Sequence, residues 1–257
     1  MPPGAVEVRR ALLDRAIRMT DLTTLEPTDT PERVRALSAR AMRPDLADPA
    51  CPPVAAVCVF LEHVPMAVEA LAGSDVRVAT VAGAFPSGRA PLDAKLAEVA
   101  AAVRAGAAEI DLVMDRDALL AGRDGQVLDE VRAVREACGG RCLKIILETG
   151  QLPLDHVRRA SWLALRGGAD FVKTSTGKVD PGATMPAVRV ILEAVRDFAD
   201  STGRHAGIKV AGGIRTADQA LRYLAAAKEI TGDAWLHPNR FRFGASTLLA
   251  DLVAQRA

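Results

Sequence analysis

The strongest constraint on the fold of this chain is a repeated alternation. Short runs rich in Val, Ile and Leu recur along it, each followed by a stretch with helical amphipathic spacing. The runs are Val54 to Phe60, Val76 to Ala82, Glu109 to Met114, Cys142 to Glu148, Ala169 to Ser175, Gly207 to Ala211 and Phe241 to Ala245. A weaker eighth run, Met19 to Leu22, follows a helix-like stretch with Ala5, Val8, Leu12 and Ala16 on one face. It precedes a helix opened by Thr30 as N-cap and Pro31 as first helical residue. The intervening helices keep the 3.6-residue period, as in Leu92, Leu96, Val99 and Val103, or Val188, Ile191, Leu192 and Val195. The runs are mostly continuous rather than alternating, which predicts strands buried on both faces of a parallel sheet. Eight strand-helix units favour closure into a (β/α)8 TIM barrel with an extra N-terminal helix, a fold of about 250 residues. With 257 residues and no linker, charge block or low-complexity tract, residues 1–257 read as one domain.

Composition removes several classes of function. Apolar residues make up 49% and charged residues 25%, with a net charge of +1 and no basic stripe, so a soluble globular chain with no nucleic-acid partner is expected. No apolar segment reaches about 18 residues and the N-terminus lacks a signal-peptide core, so neither a membrane span nor secretion is expected, and the cytoplasm follows. Cys51, Cys58, Cys138 and Cys142 lack both disulfide-scaffold and zinc-finger spacing and read as reduced thiols. Cys58, at the end of an apolar run, reads as a small buried residue, although facing a pocket would leave it oxidisable.

Three lysines lie within buried-strand patterns. Lys144 comes early in its run, whereas Lys173 and Lys209 come at or near the carboxyl ends of theirs, where barrel active sites form. A lysine in an apolar strand loses solvation of its charged form, and a second ammonium nearby lowers its pKa further, giving a nucleophilic amine. Lys173 and Lys209 would stand on neighbouring strands, roughly 4.8 Å apart. Either lysine could instead snorkel past the sheet rim or pair with a carboxylate such as Glu148. Asp111, between Ile110 and Leu112, would be costly to bury without a partner. It could share a pocket with Lys173, moving protons between substrate and water, or simply pair with Lys209.

Two strand-to-helix turns suit a phosphate. Ala211 to Thr216 carries Gly212 and Gly213, and Gly244 to Thr247 carries Ser246; these follow strands seven and eight, where barrels hold phosphate at helix N-termini. Nucleotide signatures fail, because no Gly-x-Gly-x-x-Gly follows the first strand and Gly177-Lys178 lacks the rest of a P-loop. The four histidines are isolated, and Asp115 with Asp117 reads as a solvated strand end, so no metal site is expected.

These strings, MTDLTTL from Met19, EIDLVM from Glu109, LKIILETG from Leu143, ADFVKTSTGK from Ala169, GIKVAGGIRT from Gly207 and FRFGASTLL from Phe241, resemble the 2-deoxyribose-5-phosphate aldolase family from about Asp21 to Leu249. The resemblance implies a class I aldolase, acting catabolically on deoxyribose phosphate, in which Lys173 forms the Schiff base, Lys209 lowers its pKa and Asp111 carries protons through a water. It places Asp21 beside Lys209, Cys58 near the substrate, and Thr176, Gly177 and Lys178 on the pocket. Gly212, Gly213, Gly244, Ser246 and Thr247 would hold the phosphate. The iminium would act as electron sink, so no external cofactor is implied. The partners implied are a phosphorylated sugar and an aldehyde, together with a second copy of the chain in a homodimer. Departures from the family pattern are Phe60 to His63 after the Cys58 strand, Met114-Asp115 after strand four, and a chain that stops at Gln255, Arg256 and Ala257 where relatives carry a terminal tyrosine. The only tyrosine here, Tyr223, falls within a helix. Another Schiff-base aldolase, or a phosphosugar-binding protein without catalysis, would share this fold.

Overall fold

In a computed structural model describing residues 3–256, the apolar runs pair in sequence order into a closed parallel barrel. Its strands are β1 (Thr20–Thr23), β2 (Ala56–Val59), β3 (Arg77–Ala82), β4 (Glu109–Val113), β5 (Cys142–Ile146), β6 (Phe171–Lys173), β7 (Gly207–Ala211) and β8 (Phe241–Ala245). Closure is made by β1, which pairs with both β2 and β8. The helices are α1 (Pro3–Arg18) ahead of the barrel, then α2 (Pro31–Met42), α3 (Val64–Ala70), α4 (Leu92–Arg104), α5 (Arg116–Leu120) and α6 (Asp124–Ala137). They continue as α7 (Leu154–Arg166), α8 (Met185–Thr202), α9 (Ala217–Thr231) and α10 (Leu248–Arg256). Among the described residues, no helix is long and apolar enough to cross a membrane.

The ladders are shorter than the apolar runs, and β6 shows why. Beyond Lys173 the chain stays buried, but the Thr174 hydroxyl donates to Ala211 O and accepts from Ala211 N, both at 3.0 Å, replacing the backbone pairing that would have lengthened the strand. Helix starts follow the capping rules: Thr30 accepts from Arg33 N ahead of Pro31, and Thr216 with Gln219 forms a reciprocal capping box on α9.

Two helical faces differ from the sequence expectation. On α1 the buried side chains are Leu13, Ala16 and Ile17, whereas Val8 is exposed and Leu12 only half-buried. The side chain of Ala5 lies outside the described residues. The helix packs on α9 and α10, so the covered stripe lies one residue round from the expected one. On α4 Leu92 is exposed, and the inner face is Lys95, Val99 and Ala102. Hydrophobic spacing could not mark Lys95, whose buried ammonium donates to Glu130 at 2.8 Å. Glu130 in turn accepts from Asp115 N and so fixes the chain just beyond β4. The α8 stripe of Val188, Ile191, Leu192 and Val195 is buried throughout.

Candidate active site

Inside the barrel, β2 contributes only small uncharged side chains, and so does β3 beyond its first residue, the half-exposed Arg77, which reaches Glu109 at 3.3 Å. Ala56, Cys58, Ala79 and Val81 form an apolar cluster with Leu25, separate from the main core, and Phe60 and Phe85 pack against it. The remaining strands contribute charge. Buried acidic groups are Asp21 on β1 and Glu109 and Asp111 on β4; buried basic groups are Lys144 on β5, Lys173 on β6, Lys209 on β7 and Arg242 on β8.

Asp111 is the hub. Its Oδ1 accepts from Lys144 Nζ at 2.8 Å, and its Oδ2 accepts from Lys173 Nζ and Lys209 Nζ, each at 2.7 Å. Lys144 also pairs with Glu109 at 2.6 Å and lies 3.7 Å from Asp21. Lys209 pairs with Asp21 at 2.6 Å, while Arg242 bridges Asp21 at 2.5 Å and Glu109 at 2.9 Å. Both interpretations of Asp111 are therefore met together, since it reaches Lys173 and pairs with Lys209. Glu148 is not a lysine partner; it accepts from the backbone N and the hydroxyl of Thr176 and so pins the turn after β6.

Counting formal charges separates the lysines. Three buried carboxylates face four buried cations, and a buried charge without compensation is strongly disfavoured. Lys144, Lys209 and Arg242 each touch at least two of these carboxylates, whereas Lys173 touches only Asp111. The surplus proton therefore belongs to Lys173. Burial depresses the Lys173 amine, Asp111 opposes that and Lys209 adds to it, and the balance lies below an ordinary lysine. Both causes named from the sequence act here, with burial the larger and the second ammonium the smaller. For Lys144 and Lys209 burial is outweighed by their carboxylates and both stay high. Burial is likewise outweighed at Asp111, which three ammonium groups hold well below the usual carboxylate range.

Of the three lysines, only Lys173 reaches the cavity of about 190 Å³ at the carboxyl ends of the strands. Thr176, Gly177, Lys178, Gly212, Gly213, Gly244, Ser246 and Thr247 line it as expected. Gly212 and Gly213 both have left-handed φ, 89° and 80°, which lets β7 turn directly into α9 and puts main chain against the cavity. At Gly244 a Cβ would come within 2.9 Å of Lys209 Cε, so glycine there leaves room for that side chain.

Asp21, Asp111 and Lys209 lie beneath the cavity rather than on its wall. Cys58 also does not line it. Fully buried in the small-residue cluster, its thiol is pushed up by burial, which removes the oxidisable alternative. The Leu61–His63 departure forms a short turn leading into α3 and does not line the cavity, so it lends no support to a binder without catalysis. Tyr223 donates to Ala183 O from within α9. Asp115 caps α5 and Asp117 pairs with Arg89.

Sequence reasoning missed several members. Lys144 was set aside because it starts early in its strand, yet it is the ladder partner of Asp111. Glu109 and Arg242 were readable as residues two before Asp111 and two before Gly244, a spacing that returns a side chain to the same face of a strand. Thr23, Glu26 and Arg215 complete the polar lining, and each sits in or beside a string already singled out.

Comparison with known proteins gives one family. The model of the DeoC/LacD family aldolase matches residues 14–254. The deoxyribose-phosphate aldolase of Homo sapiens is 44% identical over 97% of this chain and 82% of its own length, and that of Mus musculus is 45% identical with the same coverage. Among solved structures, the tetrameric deoxyribose phosphate aldolase from Aeropyrum pernix superposes with a TM-score of 0.74 at 25% identity, covering 100% of this chain and 99% of that one. A cavity-lining lysine over a buried charge cluster, in a closed barrel matched over nearly its whole length, leads to one assignment: the chain belongs to the DeoC/LacD family of aldolases.

Proposed function

We propose that this aldolase reversibly cleaves 2-deoxy-D-ribose 5-phosphate to D-glyceraldehyde 3-phosphate and acetaldehyde through a Schiff base on Lys173. The observation that carries the proposal is that Lys173 alone among the interior lysines lines the cavity, and that its one carboxylate partner, Asp111, is shared with Lys144 and Lys209. The neutral amine attacks the C1 aldehyde, and the carbinolamine loses water to give an iminium. Loss of the C3 hydroxyl proton then breaks the C2–C3 bond. Its electron pair moves into the C1–C2 bond and neutralises the iminium as an enamine, while C3 leaves as the aldehyde of glyceraldehyde 3-phosphate. Protonation at C2 and hydrolysis release acetaldehyde and restore Lys173.

Asp111 is suited to pass protons rather than keep them, because its ammonium neighbours make it a weak base that returns a proton at once. Lys209 stays cationic beside it and adds to the burial that lowers the pKa of the Lys173 amine. The phosphate is assigned to Gly212, Gly213, Ser246 and Thr247, with Lys178 and Arg215 supplying positive charge. The proposal takes residues 1–257 as one domain of a catabolic enzyme whose free thiols suit the reducing cytoplasm. The homodimer expected from the resemblance belongs to it as well, beside the tetramer described for the Aeropyrum pernix relative.

Borohydride reduction in the presence of acetaldehyde tests the core of this reading. A peptide bearing Lys173 should gain an ethyl group by mass spectrometry, and an adduct elsewhere, or none, would remove Lys173 as nucleophile. Ser246→Glu should raise KM for the phosphorylated substrate by about tenfold or more, by placing a like charge at the phosphate, with a smaller effect on kcat. An unchanged KM would mean that the phosphate binds elsewhere.

A further inference from the structure

One acidic side chain shares the cavity with the proposed phosphate donors. Glu26 Oε1 lies 3.1 Å from Lys178 Nζ, so an ion pair joins the segment after β1 to the segment after β6, and both residues line the cavity. Both backbones are fixed. Glu26 N donates to Asp29, which also accepts from the Thr24 hydroxyl, while Lys178 N donates to the hydroxyl of Thr176, itself held by Glu148. The side chains are looser, with Glu26 53% and Lys178 30% exposed. An exposed pair of this kind contributes little to stability and is readily broken by a competing anion.

We infer that Glu26 is a specificity-determining residue that occupies Lys178 in the free enzyme and must yield it to an incoming phosphate, thereby weakening the preference for phosphorylated over unphosphorylated sugars. The inference rests on the phosphate assignment under Proposed function. A phosphate entering the cavity must separate Lys178 from Glu26 and then remain near a carboxylate, and both effects lower its affinity. A neutral 2-deoxyribose meets neither cost. Its terminal hydroxyl can donate to the Glu26 carboxylate, a charge-assisted hydrogen bond that the phosphate ester cannot make. Glu26 thus penalises one class of substrate and accommodates the other.

Glu26→Gln separates these effects without disturbing the charge cluster below. KM for 2-deoxyribose 5-phosphate should fall by about 3- to 10-fold at low ionic strength, as expected for one screened charge, and the gain should shrink as salt is added. KM for unphosphorylated 2-deoxyribose should stay the same or rise, with kcat for both little changed. In a Lys178→Met background the gain from Glu26→Gln should be smaller, because the competition for Lys178 is gone. An equal fall for both sugars, no change for the phosphorylated one, or an undiminished gain without Lys178 would overturn the inference. Ser246→Glu keeps the two readings distinguishable. If the phosphate assignment is wrong, neither substitution moves KM for the phosphorylated sugar; if only the role of Glu26 is wrong, Ser246→Glu raises it and Glu26→Gln leaves it unchanged.

Discussion

Lys173→Met is expected to lower kcat/KM by at least about 10⁴-fold, since the covalent route disappears with the amine. The fold should survive. Methionine keeps most of the buried volume, and the loss of Lys173 leaves three buried carboxylates facing Lys144, Lys209 and Arg242, which is a balanced set. Thermal unfolding followed by circular dichroism should place the variant at or slightly above the native protein, because a buried polar amine gives way to an apolar side chain and the remaining charges still balance. Substantial cleavage by the purified variant, or retention of the borohydride adduct, would move the nucleophile to another residue. A collapse in stability would contradict the charge count, because it would mean that Lys173 is needed as a cation.

Lys209→Leu should act through protonation. With Lys209 gone, the buried cations left on the three carboxylates are Lys144 and Arg242, and Lys173 is drawn in as the third. The native Lys173 amine titrates below an ordinary lysine, first through burial and then through Lys209. Removing a neighbouring positive charge raises that pKa. The alkaline-rising limb of kcat/KM should move up the pH axis by the same amount. Turnover near neutrality should fall by about 10- to 1000-fold and recover in more alkaline buffer. Breaking a buried pair also costs about 3–5 kcal/mol of stability, so unfolding should be measured on the same preparation. A folded variant with the native pH profile would show that Lys209 does not control the nucleophile.

Much of this site was readable because burial and charge conflict visibly in the sequence. Seven strands were marked by apolar runs and the eighth, at Met19 to Leu22, more weakly, and Asp111 stood out because Ile110 and Leu112 flank it. Lys173 and Lys209 stood out through their positions at strand ends. What escaped depended on reach across the barrel rather than on position along one strand. Lys144 begins below the cavity, but its long side chain carries the ammonium to both Glu109 and Asp111. Arg242 was hidden in a string read for its glycine and serine, although it meets two carboxylates from strands far away in sequence. The α1 and α4 faces were misjudged because hydrophobic spacing reports which side of a helix is apolar and not how far neighbouring helices cover it. Lys95, buried through its pairing with Glu130, shows that a charged residue can belong to such a face.

The distribution of the interior charges along the chain has a consequence for assembly of the barrel itself. All the buried acids on strands lie in the first four, at Asp21, Glu109 and Asp111, and all the buried bases lie in the last four, at Lys144, Lys173, Lys209 and Arg242. Either half closed on its own would trap buried charges of one sign, with only the half-exposed Arg77 set against the acids of the first half. Separated halves should therefore stay open and attract each other, and the last step of folding should be an electrostatic seam drawing the N-terminal and C-terminal halves together, with Lys173 left over as the one base that has no acid to itself.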